Sequence, residues 1–258
     1  MKMTLKEYIN NPMGKGPIYN VGVRESIAKD YTERWNALMV RENGKINHTF
    51  YYDKKHNVYY CHVKVPSEVV PKFYYDVVFR FFADENVSDG GRTLDNYNVQ
   101  FFSNDPAFIF NYAHAFIHND LFIKDLLPKM SRKAVKRDAK EKNPQNLMGY
   151  VKAVYFAYIY MRDHGYFSTA AHGQDKKYDK RDLLGNIQDA DVVVEKRQKE
   201  GEKLQRKKVK DKNQNNTKVM GSAHYDGPST MGEIKKISKV GSIGTTKKVS
   251  SVGKIGKK

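Results

Sequence analysis

The chain has 258 residues and a formal net charge of +17 at pH 7, from 46 Lys and Arg against 29 Asp and Glu. This charge predicts attraction to polyanions, whether nucleic acid, an acidic protein surface or an anionic membrane. The single cysteine, Cys61, excludes an intramolecular disulfide framework and indicates a reducing compartment. No apolar run approaches the roughly 18 residues of a membrane span, and residues 1–7 lack a signal peptide's apolar core, so we expect no membrane partner.

The first segments in chain order are an arm and a helix. Residues 10–17 are rich in Pro, Gly and Asn, which predicts an extended N-terminal arm over residues 1–22. In residues 23–42, apolar side chains recur at three- and four-residue spacing, as in Ile27, Tyr31 and Trp35, and predict a helix. The dipeptide Asn43–Gly44 is typical of a helix end.

Four segments then have the composition of strands: residues 46–52, 57–65, 72–82 and 97–102. The first two are separated by a length suited to a hairpin loop, so we expect them to pair antiparallel. In the third, one face carries only apolar residues and predicts a core face. The other face alternates apolar with Asp76 and Arg80, as in a sheet partly covered by a neighbour.

Helices follow the strands. The segment Ser103-Asn104-Asp105-Pro106 has a polar cap and then Pro, which predicts a helix start. Residues 131–140 indicate a short basic helix, and Asn143–Pro144 repeats the cap before a largely apolar helix over residues 145–164. The predicted fold class is α+β: a small antiparallel sheet of about four strands, packed with N-terminal and C-terminal helices and followed by an extended basic tail.

The composition changes near Asp175. Residues 176–258 carry 22 of the 46 basic and 10 of the 29 acidic residues, a net +12, and of 32 Tyr, Phe and Trp residues only Tyr178 and Tyr225 lie there. So few large apolar side chains cannot offset the entropy of ordering such a segment. We therefore predict a compact domain over residues 23–170 and a basic tail over residues 171–258.

Two tracts of the tail are candidate binding sites. Residues 190–212 have helical ion-pair spacing and include the candidate polyanion-binding residues Arg206, Lys207, Lys208, Lys210 and Lys212. A twelve-residue repeat follows, with KKISKVGSIG at residues 235–244 and KKVSSVGKIG at residues 247–256. Its small apolar anchors are candidate partner-docking residues: Ile237, Val240, Ile243, Val249, Val252 and Ile255.

A search for chemistry predicts no catalytic, cofactor-binding or metal site. His114 and His118 have the spacing of a helical metal pair, but no Glu follows His114 and no third ligand is evident, which favours polar helix-face histidines. The acids of residues 84–89 lie beside Gly90 and Gly91, which favours a solvated loop. Neither a phosphate-loop nor a dinucleotide pattern occurs. Bound metal would revive the enzyme hypothesis.

Four segments together resemble virion structural proteins of large tailed bacteriophages, and within them those of the crAss-like phages. They are LKEYINNPMGKG at residues 5–16, KVPSE at 64–68, FYYDV at 73–77 and FFSNDPAF at 101–108. The resemblance covers about the first 165 residues and implies a non-enzymatic component of the neck, connector or tail. It would be present in many copies in a ring with other virion proteins, located in the virion and assembled in the host cytoplasm. The alternative hypothesis is a nucleic-acid-binding protein that contacts DNA through its basic tail.

Overall fold

The computed structural model describes residues 2–10, 25–83, 93–136 and 151–220, with residues 10, 25–27, 133 and 212–220 described by their backbone alone. The strands are β1 (His48–Asp53), β2 (Val58–Pro66), β3 (Tyr74–Phe82), β4 (Asn98–Ser103) and β5 (Lys176–Lys177). The helices are α1 (Leu5–Asn10), α2 (Glu25–Arg41), α3 (Pro106–Asn111), α4 (Ala113–His118), α5 (Arg132–Lys136), α6 (Lys152–Asp163), α7 (Lys180–Asn186) and α8 (Ala190–Met220). The predicted α+β class is confirmed.

The strands form one mixed sheet in the order β4–β3–β2–β1–β5. Strands β1 to β4 are antiparallel neighbours, and their bounds lie within two residues of the predicted ones; the β1–β2 pair is the one that the hairpin spacing predicted. The turn between β1 and β2 contains Asn57 at φ 49°, a left-handed conformation that Asn tolerates better than most residues. The fifth strand was not predicted; it pairs parallel with β1 through Lys176 and Lys177.

One face of the sheet holds the main core. Phe50, Cys61, Phe79 and Phe101 lie side by side across β1 to β4, and all four are buried. Helix α6 packs against β2 and β3, and α2 packs in turn on α6 through Trp35 and Phe156, whose ring centroids are 5.5 Å apart. The predicted core face of β3 is therefore confirmed. Tilted and edge-on ring pairs of this kind add to the free energy gained from apolar burial.

The opposite face is covered by the chain's own residues 178–188. The Tyr178 ring stacks on Tyr60 with centroids 4.2 Å apart, and Asn186 donates to the Tyr51 hydroxyl at 2.8 Å. The partial cover expected over β3 is thus supplied by a segment that the sequence analysis assigned to the tail.

The predicted tail boundary at residue 170 falls too early. Leu183, Ile187, Ala190 and Val193 are all buried, and the first compact unit of the chain extends from Met1 to Asp211. Full burial of an aliphatic side chain of this size contributes about 1.5–3 kcal/mol, so a few well-placed side chains dock a segment that is otherwise charged. Of the second unit, Lys212–Lys258, the structure describes the helical backbone of residues 212–220.

The predicted N-terminal arm also begins inside the compact unit. Met3, Leu5 and Tyr8 are buried, and the Met3 carbonyl accepts a hydrogen bond from the Val99 amide at 2.8 Å. Thr4 and Glu7 cap α1 reciprocally: the Thr4 amide donates to Glu7 Oε2 at 2.8 Å, and the Glu7 amide donates to Thr4 Oγ1 at 3.1 Å. Residues 11–22 of the predicted arm lie outside the described residues.

The later helices agree in part with their predicted bounds. Asp105 caps α3 by accepting from the Ala107 amide, with Pro106 in the first turn, as predicted. Helix α5 accounts for Arg132–Lys136 of the basic helix expected over residues 131–140, and residues 137–140 lie outside the described chain. Helix α6 begins at Lys152, and the earlier part of its predicted range, residues 145–150, is likewise outside the described chain. In the described parts, no helix is both long enough and apolar enough to cross a membrane.

Gly44 ends α2 in the left-handed conformation, at φ +70°, and its amide donates to the Met39 carbonyl at 2.8 Å. A Cβ at this position would meet no atom within 4 Å, so a side chain would cause no clash. The free-energy cost of a substitution would therefore come from the left-handed backbone conformation alone. We expect Gly44→Ala to lower the free energy of unfolding by about 1 kcal/mol in urea denaturation. Gly185, inside α7 with equally open surroundings, is the matched control. Gly185→Ala should be neutral or stabilising, and an equal loss in both variants would contradict the explanation.

Candidate functional site

Helix α8 carries a basic stripe, formed by Lys196, Lys199, Lys203, Arg206, Lys207 and Lys210. Except for the adjacent pair Arg206 and Lys207, successive members are three or four residues apart, and all six lie on one side of the helix. The inward side is occupied by the buried Ala190 and Val193 and the half-buried Leu204. The charge of α8 is therefore segregated from its packing face and directed toward solvent.

Acidic residues neutralise only part of the basic stripe. Lys199 bonds Glu195 at 2.5 Å, Lys203 bonds Glu200 at 2.6 Å, and Arg206 lies 3.8 Å from Glu202. Lys207 and Lys210 are exposed and have no acidic partner within ion-pair distance among the described side chains. Exposed ion pairs are worth little in water, so an incoming polyanion can replace them at small cost.

The predicted polyanion-binding residues are only partly brought together. Arg206, Lys207 and Lys210 lie in the basic stripe, whereas Lys208 is four residues from Leu204 and belongs to another side of the helix. Lys212 is the first residue of the second unit, and its side chain is not described. Lys196, Lys199 and Lys203 were not predicted as members of one stripe, although their helical spacing is the signal that identifies them.

A second candidate surface is a cleft of about 350 Å³ between the starts of α3 and α6 and the loop after β2, here named the α3/α6 cleft. Its apolar lining comprises Val65, Pro66, Val69, Pro106, Ala107, Phe110, Ala153 and Phe156. Val69 and Phe110 are 64% and 51% exposed, among the most exposed large apolar side chains of the described chain. Because these residues come from four separate elements, no local pattern in the sequence predicted the cleft.

One rim of the α3/α6 cleft is a charged network around Glu68. Arg34 donates through Nε to Glu68 Oε1 at 2.6 Å and through Nη2 to Oε2 at 3.1 Å, while Lys152 bonds the same Oε2. Burial opposes the ionisation of Glu68, but the hydrogen bonds from Arg34 and Lys152 outweigh it and hold the Glu68 pKa below its ordinary value. The carboxylate therefore stays charged and joins α2, the β2–β3 loop and α6.

Two further charges line the α3/α6 cleft without such neutralisation. Burial raises the pKa of Asp105 although the Ala107 amide, which donates to Oδ1, and the nearby charges of Lys152 and Arg197 act in the opposite direction. No described cation lies within ion-pair distance of Asp105. Arg197, on α8, donates through Nε to the Tyr75 hydroxyl at 2.8 Å and has no described carboxylate within ion-pair distance. An acidic and a basic side chain thus line one apolar space, close enough to interact electrostatically but without forming a direct ion pair.

The buried His62–Asp76 pair belongs to the framework. His62 Nε2 lies 2.8 Å from Asp76 Oδ1, and Asp76 Oδ2 accepts from the Asn104 side chain at 2.8 Å and from the Gln188 amide at 3.0 Å. His62, Asp76 and Asn104 are each at most 1% exposed. A substrate has no access to groups buried in this way, and their contacts join β2, β3 and β4 to the segment before α8.

His172 and Asp175 form a second buried pair, with Nδ1 and Oδ2 2.6 Å apart. The other ring nitrogen, Nε2, lies 2.7 Å from the Tyr166 carbonyl oxygen. Each ring nitrogen thus lies within hydrogen-bond distance of an oxygen atom. This pair holds the turn between α6 and β5. The spacing of His172 and Asp175, three residues apart in the sequence, did not predict that they would be buried.

The other residues considered for chemistry are placed as follows. His114 and His118 stack with ring centroids 4.2 Å apart on α4, and His114 Nδ1 lies 3.1 Å from the Val135 carbonyl oxygen. In the described parts of the chain, no group of three or more metal-ligating side chains forms. Asp84, Glu85 and Asp89 lie outside the described residues, as do all six candidate docking residues of the repeat.

Cys61 is fully buried on β2, and burial raises the pKa of its thiol. We expect a thiol reagent to modify native Cys61 at least about 100-fold more slowly than the urea-unfolded chain, because both access and the thiolate fraction are reduced. The measurement is absorbance-monitored labelling at pH 8, and the unfolded chain provides the reference because Cys61 is the only cysteine. Equal rates in the two states would show that the thiol is accessible.

No family model matches this sequence, and neither the curated proteins nor the solved structures include one with significant similarity to it.

Proposed function

We propose that this protein is a non-enzymatic assembly subunit of a tailed-phage particle, placed in the neck, connector or tail. One observation carries the assembly role: from residue 205 to residue 211, every side chain of α8 is exposed. An isolated helix of mostly charged residues is marginal in water, and this part of α8 has no packing partner in the described body. We infer that this part of α8 packs against a surface of another molecule.

Two further observations support the proposal. The segments at residues 5–16, 64–68, 73–77 and 101–108 resemble virion structural proteins, and most of them contribute to the sheet and its immediate surroundings. The buried His62–Asp76 and His172–Asp175 pairs join structural elements and are closed to a substrate. We infer that the body is a stable platform, repeated in a ring of copies, and that α8 and the chain beyond it reach neighbouring virion proteins.

The test is the protein content of purified particles. We expect mass spectrometry of intact particles to find the protein at several copies per particle, and to find it again in tail or neck fractions after the heads are disrupted. A knock-out of its gene should yield incomplete particles. Absence of the protein from mature particles, together with normal particles in the knock-out, would overturn the proposal.

A second candidate function, polyanion binding, is favoured by the basic stripe. Six basic side chains on one face of a helix complement the negative charge of a nucleic-acid backbone or of an acidic protein surface. DNA contact by α8 would be compatible with a place near packaged DNA in the particle. The salt dependence of DNA binding distinguishes this function from assembly alone.

A further inference from the structure

Three groups in the α3/α6 cleft have no direct partner in the described chain. Lys152 and Arg197 act on Asp105 electrostatically, but no described cation lies within ion-pair distance of it; the outer nitrogens of Arg197 have no carboxylate within that distance; and Val69 and Phe110 expose apolar surface at the rim. A carboxylate beside apolar walls interacts more strongly with an incoming cation than one in open water does. Exposed apolar side chains around a concave site are typical of a docking surface.

An extended peptide with a lysine and an aliphatic residue two positions apart can contact all three groups. In an extended chain, the side chains of residues i and i+2 point to the same side. The lysine ammonium can therefore reach Asp105 while the aliphatic side chain two residues away packs on Phe110. The guanidinium of Arg197 can donate to a backbone carbonyl of the same peptide. A metal ion or a small amine would satisfy Asp105 but leave the apolar rim uncovered.

The chain itself contains this pattern once in each copy of its repeat. Lys235 with Ile237, and Lys247 with Val249, stand two residues apart at equivalent positions. We propose that the α3/α6 cleft of one copy binds the C-terminal repeat of a second copy, with the lysine on Asp105 and the aliphatic side chain against Phe110 and Val69. This inference rests on the proposed assembly function and names the binding partner of the C-terminal repeat.

A second copy is proposed as the source of the repeat because the assembly function already requires contacts between copies. Each chain carries two repeats, so one chain can bind the clefts of two neighbours. Two linked docking segments bind more tightly than one, because the first contact raises the effective concentration of the second.

Photo-crosslinking in the full chain tests the inference. Phe110 is replaced by the photoreactive analogue p-benzoyl-phenylalanine, and chains of normal nitrogen are mixed with chains uniformly labelled with heavy nitrogen. After irradiation, mass spectrometry identifies the residue attached to position 110 and whether it came from the same copy. The matched control places the same probe at Val209, which is 58% exposed and does not line the cleft.

We expect mixed-isotope cross-links between position 110 and residues 235–256, and none to that range from position 209. Asp105→Asn preserves the α3 cap, because Asn caps as well as Asp, and removes only the charge. It should reduce the cross-link yield by about 10-fold. Ile237→Asp combined with Val249→Asp should abolish the cross-link while the melting temperature stays at the wild-type value.

Cross-links within one copy only, cross-links to other segments only, no cross-link from a folded chain, or a yield unchanged in Asp105→Asn would each overturn the inference. Its failure is distinguishable from failure of the assembly function. The protein found in particles without this cross-link would leave assembly standing with a different contact. The cross-link found for a protein absent from particles would leave the contact between copies standing without the phage role.

Discussion

Replacement of Asp76 by alanine is expected to lower the free energy of unfolding by about 3–5 kcal/mol, the cost of leaving the partners of a buried charge unpaired. Asp76 is 1% exposed and accepts from His62, the Asn104 side chain and the Gln188 amide. Alanine would leave these donors without an acceptor in a place that water does not reach. Urea denaturation followed by circular dichroism measures the loss.

The effect should be concentrated in the segment that Asp76 anchors. The Gln188 amide is held by Asp76 Oδ2, and the Gln188 carbonyl accepts from Asn104 at 3.2 Å. We therefore expect amide hydrogen exchange in Asp76→Ala to accelerate more in residues 187–193 than in α6. Asp76→Asn, which keeps one acceptor oxygen but turns an NH₂ group toward a donor, should cost less than alanine.

Asp30→Ala is the matched control for the loss of an acidic side chain. Asp30 is exposed and pairs with Arg34 one helical turn away, an arrangement worth about 0.3–0.5 kcal/mol. If Asp76→Ala cost no more than Asp30→Ala, the hydrogen-bond network at Asp76 would not stabilise the fold. Uniform acceleration of exchange across the body would show that Asp76 does not anchor the residue 187–193 segment in particular.

The contribution of Asp76 should also depend on pH. Burial opposes its ionisation, but the hydrogen bond and charge of His62, with the Gln188 amide, outweigh burial and hold the Asp76 pKa below its ordinary value. A carboxyl group whose pKa is lower in the folded state than in the unfolded chain stabilises the folded state. This contribution is complete at pH values above the unfolded-state pKa of about 4, and it is lost as the pH falls through the folded-state pKa. The difference between wild type and Asp76→Ala should therefore shrink from pH 7 to pH 3. A difference that stayed constant would exclude the charged form as its source.

The sheet could be predicted from the sequence because its signal is local. Alternating aromatic and β-branched residues marked β1 to β4 to within two residues, and the cap at Asp105 marked the start of α3. Strand β5 escaped because its two residues, Lys176 and Lys177, are exposed lysines that carry no alternation. Their pairing is decided by contacts of Tyr178 and α7 with the body, not by their own side chains.

The two boundary errors have one cause. Both were drawn from average composition, whereas docking depends on a few side chains at the right spacing. Leu183, Ile187 and Ala190 are three or four residues apart in a segment that is otherwise polar, and that spacing was the available signal. The burial of Met3, Leu5 and Tyr8 was not predicted for the same reason, because the Pro and Gly residues that follow them dominate the composition of the segment.

The candidate surfaces differ in the same respect. The basic stripe follows from helical spacing alone, so the sequence contained most of it. The α3/α6 cleft could not be read from the sequence, because Asp105, Lys152 and Arg197 belong to distant segments and line one cleft only in the folded chain. Likewise, the partnership of His62 with Asp76 depends on the register between β2 and β3, which no spacing in the sequence specifies.

Reversal of three charges in the basic stripe should weaken binding to a double-stranded DNA oligonucleotide by about 100–1000-fold at low salt. The variant is Lys203→Glu, Lys207→Glu and Lys210→Glu, three exposed positions on one side of α8. If these side chains neutralise phosphates, each contributes about 0.9 to the slope of log affinity against log salt concentration. The slope should therefore fall by about three, as measured by fluorescence anisotropy across a salt series.

A control with the same charge separates the stripe from net charge. Lys29→Glu, Lys45→Glu and Lys55→Glu change three exposed lysines away from α8, and both triple variants have a net charge of +11 in place of +17. Since long-range attraction depends on total charge and contact ion release depends on position, the control should lose far less affinity and keep most of the slope. Equal losses in the two variants would reduce the stripe to one part of a diffuse positive surface. A retained slope in the α8 variant, with its helix content intact by circular dichroism, would exclude the stripe as the DNA contact and leave an acidic protein surface as its partner.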